Sequence, residues 1–148
     1  MMARLRQLLE HDEGCVYELY LDHLGLKSLG VGHLSLKGEP EYDLPVGTPV
    51  SEQRVHELFH QDVQVSIKDA KWLHPDFDDL PEDAQITIVS LAFQLGLPRY
   101  QKFAKHHAAI KARDWKEAAA QLRDSKLYRQ TPARTERHAA RLEALDFC

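Results

Sequence analysis

Cysteine is almost absent from the 148 residues: Cys15 and Cys148 are the only two. Two cysteines make no disulfide framework, and both are expected as free thiols in a reducing compartment. A structural metal site needs more ligands than they supply. The nine histidines are scattered, and the adjacent pair His106-His107 has poor geometry for a shared ion. No metal or cofactor is therefore expected. No apolar run approaches the roughly 20 residues that span a bilayer. The opening MMARLRQLLEHDEG meets acidic residues before a secretion signal could form. Repeats, low-complexity tracts and long linkers are also missing, so solenoid and multidomain arrangements are excluded. What remains is 43% apolar and 28% charged, the composition of one globular unit that can bury a core.

The net charge of -4 hides an asymmetry. From Arg99 onward there are 12 basic and 6 acidic residues, against 7 and 17 in the preceding part. A basic half could face an anionic polymer such as nucleic acid or bacterial cell wall. Solvated helix faces explain the same count and are the simpler reading of charge alone.

Leu5, Leu8 and Leu9 have helical spacing, and Gly14 offers a stop, which predicts a helix over 2–12 ending near Glu13. From Val16 the period changes. Tyr17, Leu19 and Leu21 alternate with Glu18, Tyr20 and Asp22, as in a half-buried strand. His23-Leu24-Gly25 reads as a turn, and alternation resumes from Ser28 to Leu36. Pro40, Pro45, Gly47 and Pro49 mark an irregular stretch. Ser51 then caps a long helix whose inward face carries Val55, Leu58, Phe59 and Asp62, and His74-Pro75 ends it. The stretch from Ile86 to Leu95 is too apolar for a surface helix and is predicted as the buried central one, closed by Gly96 and Pro98. Shorter helices are expected over 103–111 and 115–122, and Thr131-Pro132 opens a last one toward Leu145. The fold class is α+β.

Glu13 at a helix end and Asp22 at a strand end can reach one opening, and two carboxyl groups at a cleft are the minimal equipment for glycoside hydrolysis. With 23 acidic residues in the chain, such a pair is also what ordinary surface charge produces. Read as one strand, 28–36 places Ser28, Gly30, Gly32 and Leu34 on one face, with Leu29, Val31 and His33 on the other. Two glycines on one face suit close approach of a ligand; a bulge or tight packing explains them equally. The Ser28 hydroxyl is placed to hold a water near Asp22. Asp62 interrupts an apolar stripe and needs a partner, for which the imidazole of His33 is suited, as a structural ion pair.

Together, Glu13-Gly14, Tyr20, Asp22, Gly25, Ser28, Gly30, Gly32 and His33 form E-G-x5-Y-x-D-x2-G-x2-S-x-G-x-G-H. This segment resembles the active-site segment of the phage-type lysozymes, glycoside hydrolase family 24, the T-even phage endolysins. The resemblance continues at Leu58-Phe59-His60-Gln61-Asp62-Val63, Phe93-Gln94-Leu95-Gly96, Trp115-Lys116-Glu117-Ala118-Ala119 and Tyr128-Arg129-Gln130-Thr131-Pro132-Ala133-Arg134.

The resemblance implies cleavage of the β-1,4 bond between N-acetylmuramic acid and N-acetylglucosamine in peptidoglycan. Glu13 matches the general acid and Asp22 the base or charge stabiliser, with inversion favoured by precedent. Ser28 stands where the family has a water-holding threonine. Gly32, Leu34, Phe93 and Gln94 match positions lining the cleft, while His106 and Gln121 fall where Ser and Asn are usual. Arg134 matches an arginine supporting the acid's end of the cleft, and His33 and Asp62 match a structural ion pair. The implied single domain, 1–148, has a small sheet lobe over 14–50, a joining helix over 51–74 and a helical lobe over 75–148 that carries helix 2–12. The expected partner is a peptidoglycan glycan strand, met by a monomer made in the host cytoplasm and admitted to the periplasmic wall by membrane permeabilisation. No nucleic acid and no membrane insertion are expected. The chain departs from the family in its acidic balance and in Cys15, where an aliphatic residue is usual. A glycan-binding protein without catalysis, a chitin hydrolase, and a nucleic-acid binder using the basic half are the competing readings.

Overall fold

The computed structural model describes residues 1–147; Cys148, and with it the expectation of a free terminal thiol, lies outside the described residues. The chain is α+β. Helix α1 (Met2–Glu13) leads into a three-stranded antiparallel sheet in the order β1 (Val16–Leu21), β2 (Lys27–Gly30), β3 (His33–Leu34). Helix α2 (Glu52–Leu73) follows the irregular stretch, and six more α-helices and two short 3-10 helices (Phe77–Asp79 and Ala144–Phe147) complete the described chain. The α-helices are α3 (Glu82–Leu95), α4 (Leu97–Tyr100), α5 (Ala104–Lys111), α6 (Trp115–Arg123), α7 (Lys126–Gln130) and α8 (Pro132–Glu143). Packing divides the chain into two compact units: residues 2–65, and the remainder from Ser66 together with Met1. The division falls inside α2.

In the first unit, a small core gathers Leu19, Leu29, Val50, Val55 and Leu58, with Cys15 against it. The start of α2 is set as its sequence dictates: the Ser51 hydroxyl accepts the Arg54 amide at 3.1 Å. The strands differ from their sequence pattern in two places. Tyr17 and Leu21, expected on the buried side of β1, are 46% and 56% exposed. The register shifts between the pairs Val16–Gly30 and Tyr20–Ser28, and this irregularity breaks the alternation of faces. The free edge there pairs instead with residues 47–50: Leu19 N–H donates to Thr48 O and Val50 N–H to Tyr17 O.

The second difference concerns 28–36, which is not one strand. The chain reverses over Gly30-Val31-Gly32, and Leu29 pairs with His33 and Ser28 with Leu34. Gly30 and Gly32 both have positive φ, +60° and +63°, conformations that residues with a Cβ avoid. The irregular stretch is pinned by side chains. Lys27 Nζ donates to Tyr42 O at 2.9 Å, and Arg54 is paired to Glu41, which is only 6% exposed.

The second unit is helical. Helix α3 is buried on nearly every side, with Ile88, Val89 and Leu91 at 0% exposure, as its apolar run requires. Helices α6 and α8 pack together, α5 against α6, and α3 against α8. Thr131 and Pro132 open α8 with the proline in its first turn, but the Thr131 side chain does not cap it; its hydroxyl meets Leu127 O and Thr135 Oγ1.

Candidate active site

Seven of the candidate residues belong to the first unit. Glu13 is the last residue of α1. That helix stops there because Gly14, at φ +75°, takes the left-handed conformation while its N–H bonds back to Glu10 O at 2.9 Å. The half-buried Glu13 side chain lies against the β2–β3 reversal: a Cβ on Gly32 would sit 2.8 Å from Glu13 Oε2. Gly32 thus provides the space that the carboxylate fills. Of the two explanations for paired glycines, packing against α2 accounts for Gly30, where a Cβ would meet Val55 Cγ1 at 3.1 Å. Packing within the chain accounts for Gly32 as well, with the Glu13 side chain as the neighbour; approach of a ligand is not what these positions show.

Asp22 opens the β1–β2 turn. Its Oδ1 accepts the amides of Leu24 at 2.8 Å and Leu26 at 2.9 Å, while its own N–H donates to Leu26 O and its carbonyl accepts Gly25 N–H. The turn is therefore built around this carboxylate, with Oδ2 outside these bonds. Ser28, 5% exposed, stands opposite Tyr20 and Leu34 in the ladder. Its hydroxyl is 3.4 Å from Leu26 O, long for such a bond, so Asp22 N–H and Ser28 Oγ converge on one carbonyl. Leu34 is 42% exposed.

Tyr20 ties the two carboxylates together. Burial raises its phenol above the ordinary value, and the negative charges of Glu13 and of Asp22 each push it further. One side chain therefore feels both candidate groups. Its position in the motif is the sequence signal for a site residue, but nothing in the residues alone gives it a role.

His33 is held from both sides. Its Nδ1 lies 2.6 Å from Asp62 Oδ2, and its Nε2 3.0 Å from both Glu39 oxygens. Burial alone would lower its pKa, but the hydrogen bonds and charges of Asp62 and Glu39 leave it raised. Glu39 also accepts Leu36 N–H at 2.6 Å. Sequence reasoning misses Glu39, because it sits in a stretch that reads only as irregular.

The other five candidates belong to the helical unit. Phe93 and Gln94 are half-buried near the end of α3, and Gln94 Nε2 reaches Thr131 Oγ1 at 3.4 Å. Arg134 is half-buried in the first turn of α8. Gln121 donates to Glu117 Oε1 at 2.7 Å and lines a cavity of about 640 Å³ with Arg99, Lys102, Lys105, Ser125 and Lys126. His106 borders the same cavity but presents no free ring nitrogen to it, unlike the glycan contact expected. It is 1% exposed, with Nε2 bonded to Tyr100 Oη at 2.8 Å and Nδ1 to Ala118 O at 3.0 Å. Both ring nitrogens are committed to the core, and burial holds the imidazole neutral with a pKa of about 3.

The first unit thus holds a helix-end carboxylate and a turn-locked carboxylate, both of which act on the charge of one tyrosine. The phage lysozyme family matches residues 10–140 of this chain. The chain belongs to the phage lysozyme family. Individual relatives agree over most of its length. Probable T4-type lysozyme 2 of Dictyostelium discoideum is 28% identical over 156 residues, covering 93% of this chain and 92% of that protein. The pre-baseplate central spike protein Gp5 of Enterobacteria phage T4 is 28% identical over 152 residues, 90% of this chain but 26% of that protein. Peptidoglycan hydrolase gp36 of Pseudomonas phage phiKMV is 29% identical over 125 residues, 84% of this chain and 13% of that protein. In this member of the family, the matched region holds every candidate site residue from Glu13 to Arg134.

Proposed function

We propose that this lysozyme-family chain is a peptidoglycan hydrolase that cleaves the β-1,4 bond between N-acetylmuramic acid and N-acetylglucosamine. The observation that carries this reading is the family match over residues 10–140, which contains both Glu13 against Gly32 and the turn-locked Asp22. Glu13 acts as general acid on the leaving oxygen. Asp22, with Oδ1 fixed by two amides, directs Oδ2 at water or at the positive charge of the transition state. Ser28 holds the water by turning its weakly engaged hydroxyl away from Leu26 O. Gly32 and Leu34 in the first unit are assigned to glycan contact; in the helical unit Phe93, Gln94 and Gln121 match the family's cleft-lining positions and Arg134 its supporting arginine. The protein works as a monomer, is made in the host cytoplasm, and meets the wall once the membrane is permeabilised; no helix of the described residues is long and apolar enough to cross it.

Clearing of purified Gram-negative peptidoglycan tests this reading, with sedimentation of bound protein measured in parallel. Glu13→Gln is expected to abolish clearing while leaving binding to the wall in place. A folded wild type that binds without clearing would instead mark a glycan-binding protein.

A further inference from the structure

One motif stands outside the lysozyme chemistry. Residues 56–60 read His56-Glu57-Leu58-Phe59-His60, an H-E-x-x-H pattern, and they lie wholly within α2. Residues four apart on a helix share a face, with Cβ atoms about 5–6 Å apart, and two imidazoles so placed can chelate one ion. Both histidines are exposed, whereas Leu58 and Phe59 between them are buried. His56 and His60 line two adjoining crevices. One runs along α2 with Glu52, Gln53 and Glu57. The other, about 480 Å³, is walled by Met2, Ala3 and Arg6 of α1. Carboxylates flank the pair: Glu52 Oε1 is 4.0 Å from His56 Nε2, and Glu57 adjoins it in sequence. The one competitor is Arg6, whose Nη2 is 2.7 Å from His56 Nε2. Arg6 also bonds Glu10 through Nε at 2.9 Å, so it keeps a partner when His56 is released.

We infer that His56 and His60 form a surface clamp for a divalent transition metal such as zinc or nickel, bound by two imidazole nitrogens with water completing its shell. Imidazole donors suit these ions. The clamp is a binding site and not a metalloprotease centre. Among the described residues no group of three or more His, Cys, Asp or Glu side chains could hold a metal ion, so the flanking carboxylates are not ligands and the clamp has two protein donors; Glu57 is 54% exposed and paired to Arg54 at 3.5 Å, not poised over a water.

Titration calorimetry of the chelator-treated full chain with zinc chloride tests the clamp, with circular dichroism to verify folding. One saturable site is expected, weakened at least about tenfold in His56→Gln and in His60→Gln. Binding is expected to be unchanged in His23→Gln and tighter in Arg6→Gln, which removes the competing guanidinium. Absence of saturable zinc binding, or binding that survives both clamp substitutions in folded protein, overturns the inference.

Discussion

Two glycines show how differently the same residue type is used at single positions. Gly14 has φ +75° with open space where a Cβ would stand, whereas Gly32 has φ +63° with Glu13 Oε2 only 2.8 Å from that point. Gly14→Ala therefore meets only backbone strain, about 1 kcal/mol, read as a modest fall in Tm. Gly32→Ala meets the strain and also displaces the carboxylate. It is expected to lose about 100-fold in clearing rate, the scale on which a 1 Å misplacement of a reacting group costs activity, and more than its lost stability explains. Equal activity losses for the two variants would show that Gly32 has no special relation to Glu13. Much of this neighbourhood is legible as a motif: the positions of Glu13, Asp22, Ser28 and the glycines stand in one register. The reason for each glycine is not, because a spacing pattern contains neither φ nor the identity of the neighbour. His106 defeats the sequence for a related reason. Alignment to a polar contact position carries over the place in the chain but not the larger ring, which turns inward to Tyr100 and Ala118 O.

Elements are most readable where one physical signal sets each boundary. The Ser51 cap and the apolar stripe of α2 define its start and inward face, and Ser51→Ala is expected to cost about 1 kcal/mol by removing the acceptor of Arg54 N–H, measured by denaturant unfolding. Full retention of stability would show that another group serves that amide. The strands are harder. A period of two cannot distinguish a strand from a tight reversal of the same length, so 28–36 reads as continuous although β2 ends at Gly30 and β3 begins at His33. The irregularity in β1 likewise leaves only Leu19 of its apolar residues in the core. Short helices such as α4 and α7 are hidden because four or five residues hold too little periodicity to register, and in α4 the proline at its start reads as a break.

At the scale of the whole molecule, the perturbed histidines of the two units respond to pH with opposite signs. In the helical unit, burial lowers His74 to about 4 and His106 and His138 to about 3, and lowers His107 as well. These rings are neutral when folded, but in the unfolded chain they bind protons below about pH 6.5. The unfolded state then holds more protons, so their stabilisation is complete above that pH and is lost as pH falls toward 4. His33 in the other unit behaves in reverse. Its folded pKa is raised by Asp62 and Glu39 against the effect of burial, so its contribution is present below about pH 6.5 and fades as pH rises through the folded value. Four buried neutral rings outweigh one clamped ring, and the net expectation is a chain that destabilises steeply on acidification from pH 6.5 to 4. Unfolding free energies measured across pH 4–8 test this directly. His138→Gln is expected to reduce the acid slope by up to one proton, about 1.4 kcal/mol per pH unit, whereas His33→Asn flattens only the alkaline side. An acid slope that His138→Gln leaves unchanged would mean that this ring titrates alike in the folded and unfolded chain, which its burial on α8 argues against.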